Sequence, residues 1–273
     1  MVSIGGQRLE MPGLPAGVRT LLLVNLAIFV ANVFAGGRLC EWFALSWSGI
    51  GEFYGLGALR FLTYQFTHSY GSIDHILFNM LGLYLFGGLV EESVGKRQTI
   101  RIYLWCGFAG GIVQLLLCPL LGVERAMVGA SGAVFGFLAY AVCLAPNRPF
   151  WMLVTLPLWL VAAIFCAIAL YNLQLQLVQK VTHGVADAAH LGGATMGVLA
   201  WKWNQGMAFV KRWCTSFTSW KQRKASLTER RHGEDLDRVL AKVKDQGLCA
   251  LTKDERRVLD RASRVLREKQ PIG

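Results

Sequence analysis

Long apolar runs organise the chain, separated by short polar or aromatic stretches, and they stop near Trp203. The first covers roughly residues 21–35 and is extended by its flanks. Others follow at about 73–90, 100–120, 129–145, 150–171 and 182–203. Each approaches the ~20 apolar residues of a membrane-spanning helix, which predicts six spans. Asn25 and Asn32 lie seven apart on one face of the first span and are expected to point into a bundle rather than at lipid. The fourth run ends at Pro146-Asn147-Arg148-Pro149, which cannot continue a helix. Its about 17 residues cover only ~25 Å, short of a ~30 Å hydrocarbon core. Its first residues are therefore expected below the outer surface. Pro157 inside the fifth run reads as a kink.

Two stretches break this pattern. Residues 36–73 carry Trp42, Phe43, Trp47, Phe53, Tyr54, Phe61, Tyr64 and Tyr70 with few charges, which predicts a segment lying in the membrane interface. After Trp203, Leu236, Val239, Leu240 and Val243 form an amphipathic stripe that Gly247 ends. Thr252-Lys253-Asp254-Glu255 has capping-box spacing. Val258, Leu259, Ala262, Val265 and Leu266 then make a second stripe, so a small helical hairpin is expected.

Composition supports the same division. Of 273 residues, 54% are apolar and 16% charged, against about 25% charged in a typical soluble domain. Residues 202–273 hold 18 of the 28 Lys and Arg but 9 of the 17 Asp and Glu. Arg8, Arg19, Lys96, Arg97, Arg101 and Arg148 fall on the same side as this tail. Only Arg38, Arg60, Arg125 and Lys180 fall on the other, which predicts both termini inside. The start of the fourth span then lies near the outer face. Basic residues with Trp213 and Trp220 suit an anionic membrane surface, so nucleic acid is not needed to explain the charge. No cleavable signal peptide is evident in the first 18 residues. The seven cysteines show no metal spacing; Cys106, Cys118, Cys143 and Cys166 read as core, and Cys40 lacks a disulfide partner. The expected divisions are an N-terminal segment 1–18, a six-span core 19–204, a basic juxtamembrane linker 205–230 and a cytoplasmic hairpin 231–273.

Candidate chemistry centres on Gly129-Ala130-Ser131-Gly132-Ala133-Val134-Phe135-Gly136. A serine stands among small residues where a polar loop becomes a span. Gly132 and Gly136 have the spacing that lets two membrane helices touch, and Gly193 and Gly197 repeat it on the sixth span. Packing of these two spans would bring Ser131 to His190, an intramembrane histidine of the right kind for a general base. His75 and Asn79 share a face of the second span. They read either as oxyanion donors or as a polar pair holding helices together. Phe135, one turn after Ser131, reads as a partner for the His190 ring or as plain core. Asp187, one turn before His190, suggests a third catalytic member or a carboxylate solvated near the outer interface. His68, His183 and His232 are less central, and no paired spacing supports a metal site. A soluble hydrolase elbow does not fit, because the serine is not in G-x-S-x-G and no strand precedes it. No inverted hydropathy repeat suggests a transporter.

As a set, Gly129-Ala130-Ser131-Gly132, Ala189-His190 with Gly193, and His75-Ile76-Leu77-Phe78-Asn79 resemble the motifs of rhomboid intramembrane serine proteases of the basic six-span bacterial type. The resemblance covers about residues 18–204, with the motifs in family order. It implies an all-α, six-transmembrane-helix bundle with a cytoplasmic C-terminal helical hairpin. Ser131 is the implied nucleophile and His190 the base of a dyad with no required acid. His75, Asn79 and the Ser131 backbone N–H are the implied oxyanion donors, with Gly129, Gly132, Phe135, Gly136, Gly193 and Gly197 in support. The aromatic connection matches a membrane-embedded first loop. The fifth span and residues 173–181 match a gate and cap. No cofactor and no metal are implied. The implied partners are the bilayer and membrane-protein substrates, usually with one span, cut near its outer end; no nucleic acid is among them. The implied location is a cell membrane, of the bacterial inner-membrane kind, with the site opening outward. Three positions depart from the family pattern: Leu59-Arg60 replaces a Trp-Arg pair, Phe135 stands where Tyr is frequent, and Asp187 is not a standard element. The rival expectation is a rhomboid-like protein that binds client spans without cutting them.

Overall fold

The computed structural model describes residues 3–4, 7–8, 13–121, 126–151, 155–179 and 186–269. A short antiparallel hairpin, β1 (Ser3–Ile4) and β2 (Gln7–Arg8), precedes helix α1 (Ala16–Phe34). The first N–H groups of a helix have no partner inside it. Here Glu91 meets two of them: Gly17 N and Val18 N each donate to one of its carboxylate oxygens at 2.7 Å. Such charge-assisted bonds fasten the start of α1 to the neighbouring helix. Asn25 and Asn32 point inward. Asn25 Nδ2 donates to Leu21 O at 2.8 Å and to Tyr103 Oη at 3.3 Å, and Asn32 Nδ2 donates to His68 O at 3.0 Å.

The aromatic connection folds into short pieces: α2 (Arg38–Phe43), α3 (Trp47–Ile50), a 3-10 turn, α4 (Arg60–Thr63) and a second 3-10 turn. Several of its polar groups bond to the bundle. Leu45 and Met127 exchange backbone hydrogen bonds at 2.9 Å. Trp47 Nε1 donates to Leu115 O at 2.7 Å, and the Tyr64 hydroxyl donates to Gly107 O at 2.5 Å. Arg60 is buried and pairs with Glu52.

Helices α5 (Ile73–Val94) and α6 (Lys96–Leu121) are joined through Gly95 alone, at φ +75°. A side chain there would be strained, so glycine permits the abrupt reversal. Helix α7 (Ser131–Leu144) has 14 residues, or ~21 Å, and packs on α5, α6 and α8 (Leu158–Gln179). Its buried residues share one core cluster with Leu83, Val90, Ile102, Tyr103 and Leu158. A helix apolar on all sides belongs at the centre of a bundle. Large apolar side chains on the outer helices, among them Leu26, Phe78, Trp105 and Ile168, are exposed as expected for lipid contact. Among the described residues four helices, α1, α5, α6 and α8, are long and apolar enough to cross a membrane, and α7 is a shorter apolar helix. The first residues of α9 (Asp187–Gln246) are rich in Gly and Ala and include Asp187 and His190. The protein is an all-α, multi-pass membrane bundle.

Several boundaries differ from the sequence expectation. Helix α7 starts at Ser131 rather than Gly129, because Gly129 sits at φ +123°, outside the helical region. Helix α8, in the expected fifth run, starts at Leu158 rather than near Phe150. The residues before it form a second hairpin, β3 (Pro149–Trp151) and β4 (Thr155–Pro157). Pro157 therefore precedes the helix instead of kinking it, a place where its missing N–H costs nothing. Residues 173–179, expected in a loop, are the last turns of α8; residues 180–181 of that loop lie outside the described residues. The basic stretch 205–230, expected as a linker, is helical within α9.

The chain divides into two compact units, Met1–Asn204 and Gln205–Gly273. In the second, Gly247 at φ +79° ends α9, and α10 (Lys253–Lys269) follows. The capping box forms reciprocally: Thr252 N donates to Glu255 Oε2 at 2.8 Å, and Glu255 N donates to Thr252 Oγ1 at 3.3 Å. Lys242 Nζ also donates to both Glu255 oxygens, at 2.9 and 3.0 Å. The Thr252 N–H first, then Lys242 and the Thr252 hydroxyl, hold the Glu255 carboxyl down to about 2. A depressed carboxyl stabilises the fold above its ordinary value of 4.5 and loses that contribution as pH falls through about 2. Amide exchange at the start of α10 should therefore be faster in Glu255→Gln than in wild type at neutral pH. The difference should close as both proteins are taken from pH 4.5 towards 2.

Candidate active site

Three helix ends converge. Gly129 N donates to Tyr64 O at 2.9 Å, which fixes the backbone just before α7. Ser131 is the first residue of α7, so its N–H belongs to the group that a helix leaves unpaired. His190 lies in the first turn of α9, whose start is held by Gln114 on α6: Ala189 N donates to Gln114 Oε1 at 3.2 Å. Ser131 Oγ and His190 Nε2 are 2.8 Å apart, a hydrogen-bond distance. Phe135 stacks on the His190 ring with centroids 4.3 Å apart and planes 5° from parallel. Phe165 of α8 meets Phe135 edge-on at 6.0 Å. The imidazole thus has a fixed plane and faces the hydroxyl.

His75 and Asn79 come to the same place from α5. A Cβ on Gly129 would lie 2.8 Å from His75 Nε2 and 3.9 Å from Asn79 Nδ2. Glycine is required there for both its φ and this close approach. Asn79 Nδ2 donates to His75 O at 2.7 Å, which leaves the amide its second N–H.

The four glycines set the distance between α7 and α9. A Cβ on Gly193 would overlap the carbonyl of Gly132, and one on Gly197 the carbonyl of Gly136. These neighbours are backbone and cannot rotate away. Helix α6 joins the same contact, because a Cβ on Gly110 would lie 2.6 Å from Ala189 O. Gly193→Ala should lower stability by ~1–3 kcal/mol, the range for overpacking a well-filled site. Gly206→Ala, with nothing near its added Cβ, should be neutral or ~0.5–1 kcal/mol more stable from helix preference alone. Thermal unfolding of the two variants beside wild type checks the contrast.

Of the two readings of Asp187, the solvated one does not hold. It is 2% exposed rather than solvated at an interface. Its Oδ1 lies 3.9 Å from His190 Nδ1, and Asn172 and Gln176 of α8 donate to its two oxygens. His68 is fully buried, with its ring centroid 5.3 Å from that of His75. His183 lies outside the described residues, and His232 falls within α9, in the second unit. The sequence reading missed Gln114, Asn172 and Gln176. Polar amides inside apolar runs, two of them four residues apart, were the available signal.

Fold and site together define a multi-pass membrane protein with a serine and a histidine facing each other at two inner helix ends. The chain belongs to the Rhomboid family: the family's Rhomboid domain model matches residues 56–203. Curated relatives agree. The protein is 34% identical to Rhomboid-like protein 11, chloroplastic, of Arabidopsis thaliana, over 46% of this chain and 41% of that one. It is 26% identical to RHOMBOID-like protein 12, mitochondrial, of the same plant, over 66% and 56%. It is 28% identical to Rhomboid protease GlpG of Serratia proteamaculans, over 69% of this chain and 63% of that one. The chain thus spans about two-fifths to two-thirds of the length of these relatives.

Proposed function

We propose that the protein is an intramembrane serine endopeptidase that cuts membrane-protein segments through a Ser131–His190 dyad. The observation that carries this reading is the 2.8 Å approach of Ser131 Oγ to His190 Nε2 inside an apolar bundle. With the imidazole proton on Nδ1, Nε2 accepts the Ser131 proton as Oγ attacks a peptide carbonyl. His75, Asn79 and the Ser131 N–H stabilise the resulting oxyanion. His190 then protonates the leaving amine, and water admitted to the site resolves the acyl-enzyme. The relatives titled Rhomboid protease GlpG support the activity class.

The finer features belong to the same proposal. Six spans place both termini inside, with Ser131 opening to the outer face of a bacterial inner membrane. Substrates have one span and are cut near its outer end. Residues 19–204 form the protease core, flanked by the cytoplasmic segment 1–18, the basic stretch 205–230 and the hairpin 231–273. The test is cleavage of a reconstituted single-span substrate by wild type and by Ser131→Ala. Wild type should cut and the variant should not. Binding of the substrate without cleavage by either would favour a client-binding protein.

A further inference from the structure

Asp187 is the first residue of α9 and stands one turn before His190. A buried carboxylate needs partners, and two of this one's come from a different helix. Gln176 Nε2 donates to Oδ2 at 3.0 Å, and Asn172 Nδ2 donates to Oδ1 at 3.3 Å. The two amides are four residues apart and share one face of α8. The oxygen held by Asn172 is also the one facing the imidazole, 3.9 Å from Nδ1. On the far side of the same ring, Nε2 faces the Ser131 hydroxyl. The ring therefore lies between a hydroxyl at one nitrogen and a carboxylate at the other, with its plane set by Phe135.

An acid in the first turn of a helix is favoured by the helix dipole alone. The dipole does not explain why two amides of α8 fix the carboxylate, nor why its shared oxygen turns to Nδ1. At 3.9 Å the contact is electrostatic rather than a hydrogen bond. Charges act over such distances far more strongly in a buried site than in water.

Given the proposed proteolysis, we propose that Asp187 is a positioning residue for His190, held in place by Asn172 and Gln176 of α8. Its carboxylate favours the tautomer with the proton on Nδ1 and stabilises the imidazolium that forms when Nε2 takes the Ser131 proton. The serine-histidine pair gains an acid from the helix that carries His190, fixed by amides of α8. Asp187 touches no substrate and acts through the ring.

The experiment uses the full chain, reconstituted with a single-span model substrate. Asp187→Asn keeps the size of the side chain and removes its charge. It should lower kcat roughly 10- to 100-fold, a fraction of what losing the base itself costs. KM should stay within about twofold, since ground-state binding is untouched. Gln176→Met and Asn172→Leu loosen the carboxylate without removing it and should lower kcat by a smaller factor, again at constant KM. Wild-type kcat in a folded Asp187→Asn protein overturns the inference, as does a raised KM at unchanged kcat. If Asp187→Asn fails to fold, the two amide variants decide by the same criterion. A fluorophosphonate probe separates this from the underlying reading. An unlabelled wild type would remove the protease proposal; equal labelling rates of wild type and Asp187→Asn would remove only the role of Asp187.

Discussion

His190→Ala is expected to lower kcat/KM by about 10⁴-fold or more, with Ser131→Ala equal to it within error and the double variant no worse. Groups that act as one unit lose their whole effect when either is removed. The expectation rests on the 2.8 Å contact between Ser131 Oγ and His190 Nε2, because an unactivated serine hydroxyl is a weak nucleophile. Phe135 stacks on one face of the ring, so truncating the imidazole opens a space without disturbing the glycine contacts between α7 and α9. The thermal midpoint of His190→Ala should therefore stay near that of wild type, which separates lost chemistry from lost fold. Independent 100-fold losses that multiply in the double variant would argue against a dyad.

Asn79→Ala should lower kcat by about 10²–10³-fold with little change in KM, the usual cost of one oxyanion donor. The amide is tied to His75 O by one N–H and has its second available beside Gly129. His75 approaches the same backbone through Nε2. Because both would serve one oxygen, the His75→Ala/Asn79→Ala double variant should lose less than the product of the single losses. Steady-state kinetics on the three variants, each with its thermal midpoint, tests this. A pair that only held helices together would lower the midpoint and leave kcat unchanged in the molecules that remain folded.

The glycine spacing was the most informative part of the sequence. Gly132, Gly136, Gly193 and Gly197 predicted that two helices meet backbone to backbone, and Gly193 and Gly197 do face the carbonyls of Gly132 and Gly136. Asn25 and Asn32 also pointed inward as polar residues in an apolar run should. The capping box at Thr252 was legible because its signal is local. What could not be read were interactions set by tertiary packing. Asp187 could be read as solvated or as a third member, because nothing near it in sequence shows that α8 would bring Asn172 and Gln176 to it. The β3–β4 hairpin was hidden because Phe150 and Trp151 continue an apolar run, and only pairing with Thr155 and Leu156 makes them strand. The basic stretch after Trp203 reads as linker by charge, whereas its lack of proline lets α9 continue.

The most direct test of the central claim is covalent labelling of the purified, reconstituted chain with a fluorophosphonate, followed by peptide mass spectrometry. One adduct is expected, on Ser131, absent from Ser131→Ala and strongly slowed in His190→Ala. An unlabelled wild type, or an adduct that persists at full rate in His190→Ala, would contradict it.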